Sequence, residues 1–107
     1  MKEVKEKILE FNQERDWDQF HSPENLAKSI SIEAGELLEC FQWNSKYDHK
    51  EVCSELADIV NYCILLSDKI NVDLEEIILE KLEKNRAKYP IDKAKGVSTK
   101  YTKLNKE

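Results

Sequence analysis

Two short stretches of this 107-residue chain hold the side chains best suited to chemistry. Glu33-Ala34-Gly35-Glu36 and Glu55-Leu56-Ala57-Asp58 each set one carboxylate three residues from another, which puts both acids on one face wherever the segment is helical. Four like charges brought together repel more strongly as the local dielectric falls, so such a cluster calls for a cation. An all-oxygen donor set suits Mg²⁺, Mn²⁺ or Ca²⁺ rather than zinc or copper. A di-iron bundle needs a Glu-x-x-His element; neither His21 nor His49 stands in one, and no segment has the acid-rich, Gly-containing loop of an EF-hand. Carboxylate-held Mg²⁺ keeps positions that substrate phosphates complete, so phosphate chemistry follows. The competing reading is a pair of solvated faces, because exposed helices are rich in Glu. The recurrence on successive helices, with Glu33 in an apolar register, favours a site.

A second constellation precedes the first. Arg15-Asp16-Trp17-Asp18-Gln19-Phe20-His21 has no helical stripe but holds two aromatics among hydrogen-bonding groups, and Trp43 follows the first acid pair. Ordinary core packing is the commoner use of a single Trp. Together, Trp17, Phe20 and Trp43 with Asp18, Gln19 and His21 suit a nucleobase, whose flat face stacks on aromatic rings.

The elements that position these groups are helices. Only two Gly and two Pro are present and charged residues make up 36%, so an all-α, four-helix-bundle-like fold is expected. Val4, Ile8 and Phe11 mark a helix over residues 2–15. Ser22 as N-cap and Pro23 at the first position start a second over 23–43, with Leu26, Ile30, Glu33, Leu37 and Phe41 in register. Gly35 between the acids suggests close approach by another group. Asp48 or a neighbour caps a third helix over 49–70, striped by Val52, Leu56, Ile59, Cys63, Leu66 and Ile70 and apolar nearly all round at 57–66, as for a central helix or a subunit contact. Asp58 and Asn61 are polar exceptions in that run. A fourth helix over 74–88 turns Leu74, Ile77, Ile78 and Leu82 inward and stops at Tyr89-Pro90.

One domain over residues 1–107 accounts for these elements. A chain this small buries a modest core alone, so a homodimer or homotetramer is expected. Cys40, Cys53 and Cys63 fit no CxxC spacing and read as reduced, buried side chains. Neither a signal-peptide core nor an apolar run of membrane-spanning length occurs, so a soluble, cytoplasmic protein without membrane contact is expected. The net charge of −5 divides into +6 over residues 81–107 and −11 before them. The basic end, with residues 91–107 a flexible tail where Tyr101 and Leu104 could dock, is either solvated or a place that meets phosphates; the acidic body argues against nucleic acid.

The segment from Arg15 to His21, Glu33 to Glu36, Phe41-Gln42-Trp43, Glu55 to Asp58, Asn85-Arg86-Ala87-Lys88-Tyr89-Pro90 and Lys100-Tyr101-Thr102 together resemble the MazG-like nucleotide pyrophosphohydrolases, nearest the dCTP pyrophosphatase branch. The likeness runs in order over about residues 10–104. It implies an oligomeric helical enzyme that hydrolyses a nucleoside triphosphate between the α and β phosphates with Mg²⁺ (Mn²⁺ as a substitute), in a house-cleaning role. Glu33, Glu36, Glu55 and Asp58 match the family's metal ligands; one of these four acids is expected to act as general base, with Glu36 and Glu33 the catalytic candidates. The segment Trp17 to His21, with Trp43 and Tyr62, matches the nucleoside surroundings. Lys81, Asn85 and Tyr89 match the helix that reaches the phosphates, and Arg86 is a further cationic candidate. Where the animal dCTP enzymes carry a base-contacting His, this chain has Ile8, which puts strict cytosine preference in question. The alternative is a helical module that binds a nucleotide or a protein without turnover.

Overall fold

The computed structural model describes residues 1–43 and 46–98, and these are helical with no strand. In chain order the elements are α1 (Lys2–Glu14), a 3₁₀ turn (Asp18–Phe20), α2 (Pro23–Glu39), α3 (His49–Lys69), α4 (Leu74–Lys88) and the short α5 (Ile91–Ala94). The residues divide into two compact units, Met1–Leu74 and Glu75–Glu107. Lys100-Tyr101-Thr102, Leu104 and the connector residues Asn44 and Ser45 lie outside the described residues.

The starts of α2 and α3 follow from capping. Ser22 Oγ accepts the Asn25 amide at 3.1 Å behind Pro23 at the first turn. Asp48 Oδ1 accepts the amides of Lys50 and Glu51 at 2.9 and 3.3 Å. Each removes orphan donors that a helix start leaves open. The ends of α1 and α3 share another device. Asp16 and Asn71 adopt positive φ, 54° and 58°, and the next amides, Trp17 and Val72, reach back to the carbonyls of Asn12 and Ser67 at 3.0 Å. That is the bonding of a Schellman cap, in which Asn and Asp stand in for Gly. The first of these caps turns the chain from α1 directly into the aromatic segment.

In the first unit α2 packs closely on α3, and α1 lies against α3. Leu26, Ile64 and Leu65 form the buried apolar centre. Cys40 of α2's end feels the charge of Glu51, while Glu33, two turns earlier, feels Asp58. Falling numbers on α2 thus meet rising numbers on α3, so the two helices run antiparallel and their acid pairs face each other.

Several expectations change. The second helix stops at Glu39 rather than near Trp43: the amides of Cys40, Phe41 and Gln42 bond three residues back, tightening the end, and the Phe41 ring turns to meet Tyr47 at 5.0 Å between centroids. On α4, Ile77, Ile78 and Leu82 are exposed and no residue is buried. An apolar stripe needs a covering surface, and within the described part of its unit only the four-residue α5 accompanies it. That helix, started behind Pro90, occupies part of the expected tail. The cysteines are free thiols, but Cys53 is exposed, its sulfur 3.5 Å from His49 Nε2, and Cys40 and Cys63 are only half-buried.

Gly35 does not serve a close contact, since a Cβ built there meets nothing within 4 Å. Its cost to the helix is therefore not offset by a close contact among the described residues. Gly35→Ala is expected to stabilise the protein by about 0.8–1.0 kcal/mol and to raise the melting temperature by roughly 4–8 °C. Thermal circular dichroism measures this; an unchanged or lower midpoint would reinstate the close-approach explanation.

Candidate functional site

The acid pairs converge where α2 faces α3. Glu33, Glu55 and Asp58 each bring a carboxylate oxygen within 4.8 Å of the other two. Glu36, one turn along α2, is exposed and stands outside that close triplet, yet its carboxyl interacts with both Glu33 and Glu55. Glu33 and Glu55 are half-buried, and Oε2 of each is buried without a hydrogen-bond partner among the described residues.

Such crowding perturbs protonation. Burial first, then the Glu36 and Glu55 carboxyls and the charge of Asp58, push Glu33 up to about 7. Glu55 is also raised, again by burial first and by Glu36 and Asp58, with Glu33 opposing. A folded chain does not leave buried carboxylate oxygens unpartnered without cost. Two orphaned oxygens beside a third carboxylate are the donor set of a hard divalent cation, so the residues fit Mg²⁺ or Mn²⁺.

Beside this cluster lies a cavity of about 530 Å³. Its walls come from α1 (Val4, Lys7, Ile8, Phe11, Asn12), from the aromatic segment (Trp17, His21) and from α3 (Asp58, Asn61, Tyr62, Leu65). Trp17 stands edge-on to Phe11 with centroids 5.6 Å apart, and Arg15 covers the same Phe11 ring at 3.7 Å. His21 Nδ1 is buried and has no hydrogen-bond partner among the described residues. Asp58 belongs to both the acid triplet and the cavity wall.

Of the nucleoside candidates, Trp17, His21 and Tyr62 line this cavity. Four others do not. Asp18 pairs with Lys69 at 2.7 Å. Gln19 Nε2 donates to the Asp16 carbonyl and carboxylate, each at 2.9 Å, and so shapes the segment. Phe20 is 61% exposed. Trp43 is 86% exposed beyond the end of α2. Lys81, Asn85 and Arg86 sit on α4, and Tyr89 just after it, in the second unit, where Arg86 meets Glu83 at 3.6 Å.

The sequence reading missed Lys7 and Asn12. Asn12 is buried, with Nδ2 donating to the Ile8 carbonyl at 2.9 Å. It continues the Val4, Ile8 spacing, so it was a polar residue in an apolar register, the same signal that singled out Glu33.

Known proteins are similar to this chain in sequence and in fold. The MazG-like family model matches residues 28–104. The mouse protein named dCTP pyrophosphatase 1 is 36% identical over 114 residues, covering 97% of this chain and 67% of the relative, and its human counterpart matches with the same figures. A crystal structure of a pyrophosphatase from Archaeoglobus fulgidus superposes with a TM-score of 0.76 at 40% identity, covering 84% of this chain and 92% of that one. The family model spans both acid pairs, and the relatives extend the match across α1 and the aromatic segment, so the chain belongs to the MazG-like family, on the branch that holds the dCTP pyrophosphatases.

Proposed function

We propose that this chain is a Mg²⁺-dependent nucleoside triphosphate pyrophosphohydrolase that cuts between the α and β phosphates, releasing a nucleoside monophosphate and pyrophosphate, with a preference for dCTP-like substrates. One observation carries the reading: Asp58 is at once a member of the acid triplet and part of the cavity wall. A nucleoside seated in the cavity has its phosphates beside the only group of three acids that come within mutual reach among the described residues. The names of the relatives and of the similar crystal structure supply the reaction class.

Glu33, Glu55 and Asp58 would hold the cation, with Glu36 next to them. When bound, Mg²⁺ supplies charge neutralisation at the phosphate oxygens and orients the attacking water. Glu36, exposed and outside the close triplet, would take the water's proton. Trp17 would offer its ring to the base, and His21 Nδ1 a hydrogen-bonding atom that has no partner among the described residues. Phe11 and Leu65 give the same space apolar walls. Lys81, Asn85, Arg86 and Tyr89 would complete the phosphate surroundings, and the whole chain would act as one MazG-like domain. Self-association belongs to this reading, because Ile32, Leu38, Leu56 and Val60 on α2 and α3 are exposed apolar residues; light scattering should give a multiple of 12.6 kDa, and a monomer would remove that part.

The deciding experiment incubates the protein with each of the NTPs and dNTPs and Mg²⁺, and separates pyrophosphate from inorganic phosphate. Pyrophosphate with monophosphate supports the proposal. Release of inorganic phosphate alone would overturn the cleavage position, and no product from any substrate would leave a binding module. For the cavity, Trp17→Ala is expected to weaken nucleotide binding about ten- to a hundredfold, the scale of one base stacked on an aromatic ring. Calorimetric titration reads this, and circular dichroism should show the helices retained. Lost helix with unchanged affinity would return Trp17 to a packing role.

A further inference from the structure

Asp18 sits between Trp17 and His21, the two cavity-lining residues of the aromatic segment, but does not line the cavity. It faces a separate recess with Asp68, Lys69 and Asn71, on the other side of a wall formed by Asn12 and Leu65, which both spaces share. There Lys69 Nζ meets Asp18 Oδ1 at 2.7 Å, and the Lys69 side chain is only 27% exposed. The neighbouring residue Asp68 takes Lys5 of α1 at 3.5 Å. These two ion pairs join different elements, whereas Lys7–Glu3 and Arg86–Glu83 each lie within one helix.

Other bonds of the aromatic segment are local. Gln19 bonds back to Asp16, and Asn25 Nδ2 donates to the Phe20 carbonyl at 3.0 Å. They set the segment's shape, and Trp17 rests on Phe11 of α1. The polar tie from the segment to α3 is Asp18 to Lys69. Since α3 supplies Asp58, Asn61, Tyr62 and Leu65 to the same cavity, the ion pair spans two of its walls.

We propose that Lys69 is a positioning residue for the nucleoside cavity: through Asp18 it holds the segment carrying Trp17 and His21 at a fixed distance from α3, while Asp68 fastens α1 through Lys5. Asp18 is then a structural anchor of the cavity rather than a group that touches substrate. The ligand affected is the nucleoside portion of the triphosphate, and to that extent the inference rests on the proposed function.

The test uses Lys69→Met, Lys69→Arg, Asp18→Asn and the exchanged pair Asp18→Lys with Lys69→Asp, on the full chain. Lys69→Met and Asp18→Asn are expected to raise KM about two- to fivefold with kcat within about twofold, the scale of one partly exposed ion pair. Lys69→Arg and the exchanged pair should restore the wild-type KM. A readout free of turnover accompanies this. In a Trp43→Phe background, where emission comes from Trp17 alone, Lys69→Met should shift emission to the red and increase acrylamide quenching. A changed Trp17 signal in a protein that hydrolyses no nucleotide would uphold the anchor while removing the proposed function. Unchanged KM and unchanged emission overturn the inference, as does a parallel fall of kcat that Lys69→Arg fails to rescue. Asp18→Asn is nearly isosteric on a side chain 64% exposed, so it keeps the test decisive should Lys69→Met lose its fold.

Discussion

Asp58→Asn is expected to lower pyrophosphate release by about 10²–10³-fold, the scale on which one preorganised electrostatic contact to a transition state is lost. Asp58 carries two duties. Its carboxylate completes the reach of Glu33 and Glu55, and its side chain forms part of the cavity wall. Asparagine keeps the size and removes the charge, so the wall survives while the cation loses a ligand. The loss should therefore appear as a weakened Mg²⁺ dependence, partly recovered at high Mg²⁺. Glu36→Gln should lose as much activity but differently: standing outside the triplet, Glu36 is expected to affect kcat with the Mg²⁺ midpoint little changed. Glu39→Gln, an exposed acid one turn further on α2, serves as the control and should retain activity. Full activity in Asp58→Asn, or identical Mg²⁺ curves for all three variants, would remove the acid cluster from the chemistry.

Removing the divalent cation should destabilise the protein, and by an amount that grows with pH. Glu33 is raised to about 7 from an ordinary 4.5, and Glu55 is raised in the same direction. A carboxyl whose folded value lies above its unfolded one stabilises the fold fully below about pH 4.5, and that contribution is lost as pH rises through about 7. In EDTA, the melting temperature of the wild type should thus fall between pH 5 and 8 relative to that of Glu33→Gln, which has no charge to lose there. Mg²⁺ competes with the proton for the same oxygens, so its stabilisation should be small near pH 5 and large at pH 8. At a hundred times its dissociation constant, a ligand of the folded state contributes about 2.7 kcal/mol, about 10–20 °C in a chain of this size. Differential scanning calorimetry across the pH series measures both arms. Parallel pH curves for wild type and Glu33→Gln, or a Mg²⁺ increment that does not change with pH, would show that the acids are not coupled as the structure places them.

The helix starts were legible because caps are local chemistry: Ser22-Pro23 and Asp48 act within four residues and need no tertiary partner. The meeting of Glu33 with Glu55 and Asp58 was legible for a related reason, since Glu33 in an apolar register is a cost that demands an explanation. The end of α2 was not. Cys40-Phe41-Gln42-Trp43 contains no helix breaker and Phe41 continues the apolar spacing, whereas the tightened bonds and the Phe41–Tyr47 contact that mark the helix end are not readable from residue types. Trp43, expected to close that helix, is exposed beyond its end. Asp18 illustrates a second limit. Residue type marked it as polar and close to two aromatics, but which side of the segment it faces depends on Lys69, fifty-one residues later. Gly35 shows the converse, a residue assigned a purpose on spacing alone where the structure offers no neighbour.

Asp58's place in both the acid triplet and the cavity wall has a thermodynamic corollary. Two ligands that share a side chain do not bind independently, and linkage makes their influence mutual: the factor by which nucleoside occupancy alters the cation's affinity is the factor by which the cation alters the nucleoside's. An inhibitor that fills only the cavity, with no phosphate, would therefore shift the Mg²⁺ binding curve, and its own affinity would report on the metal at the neighbouring site.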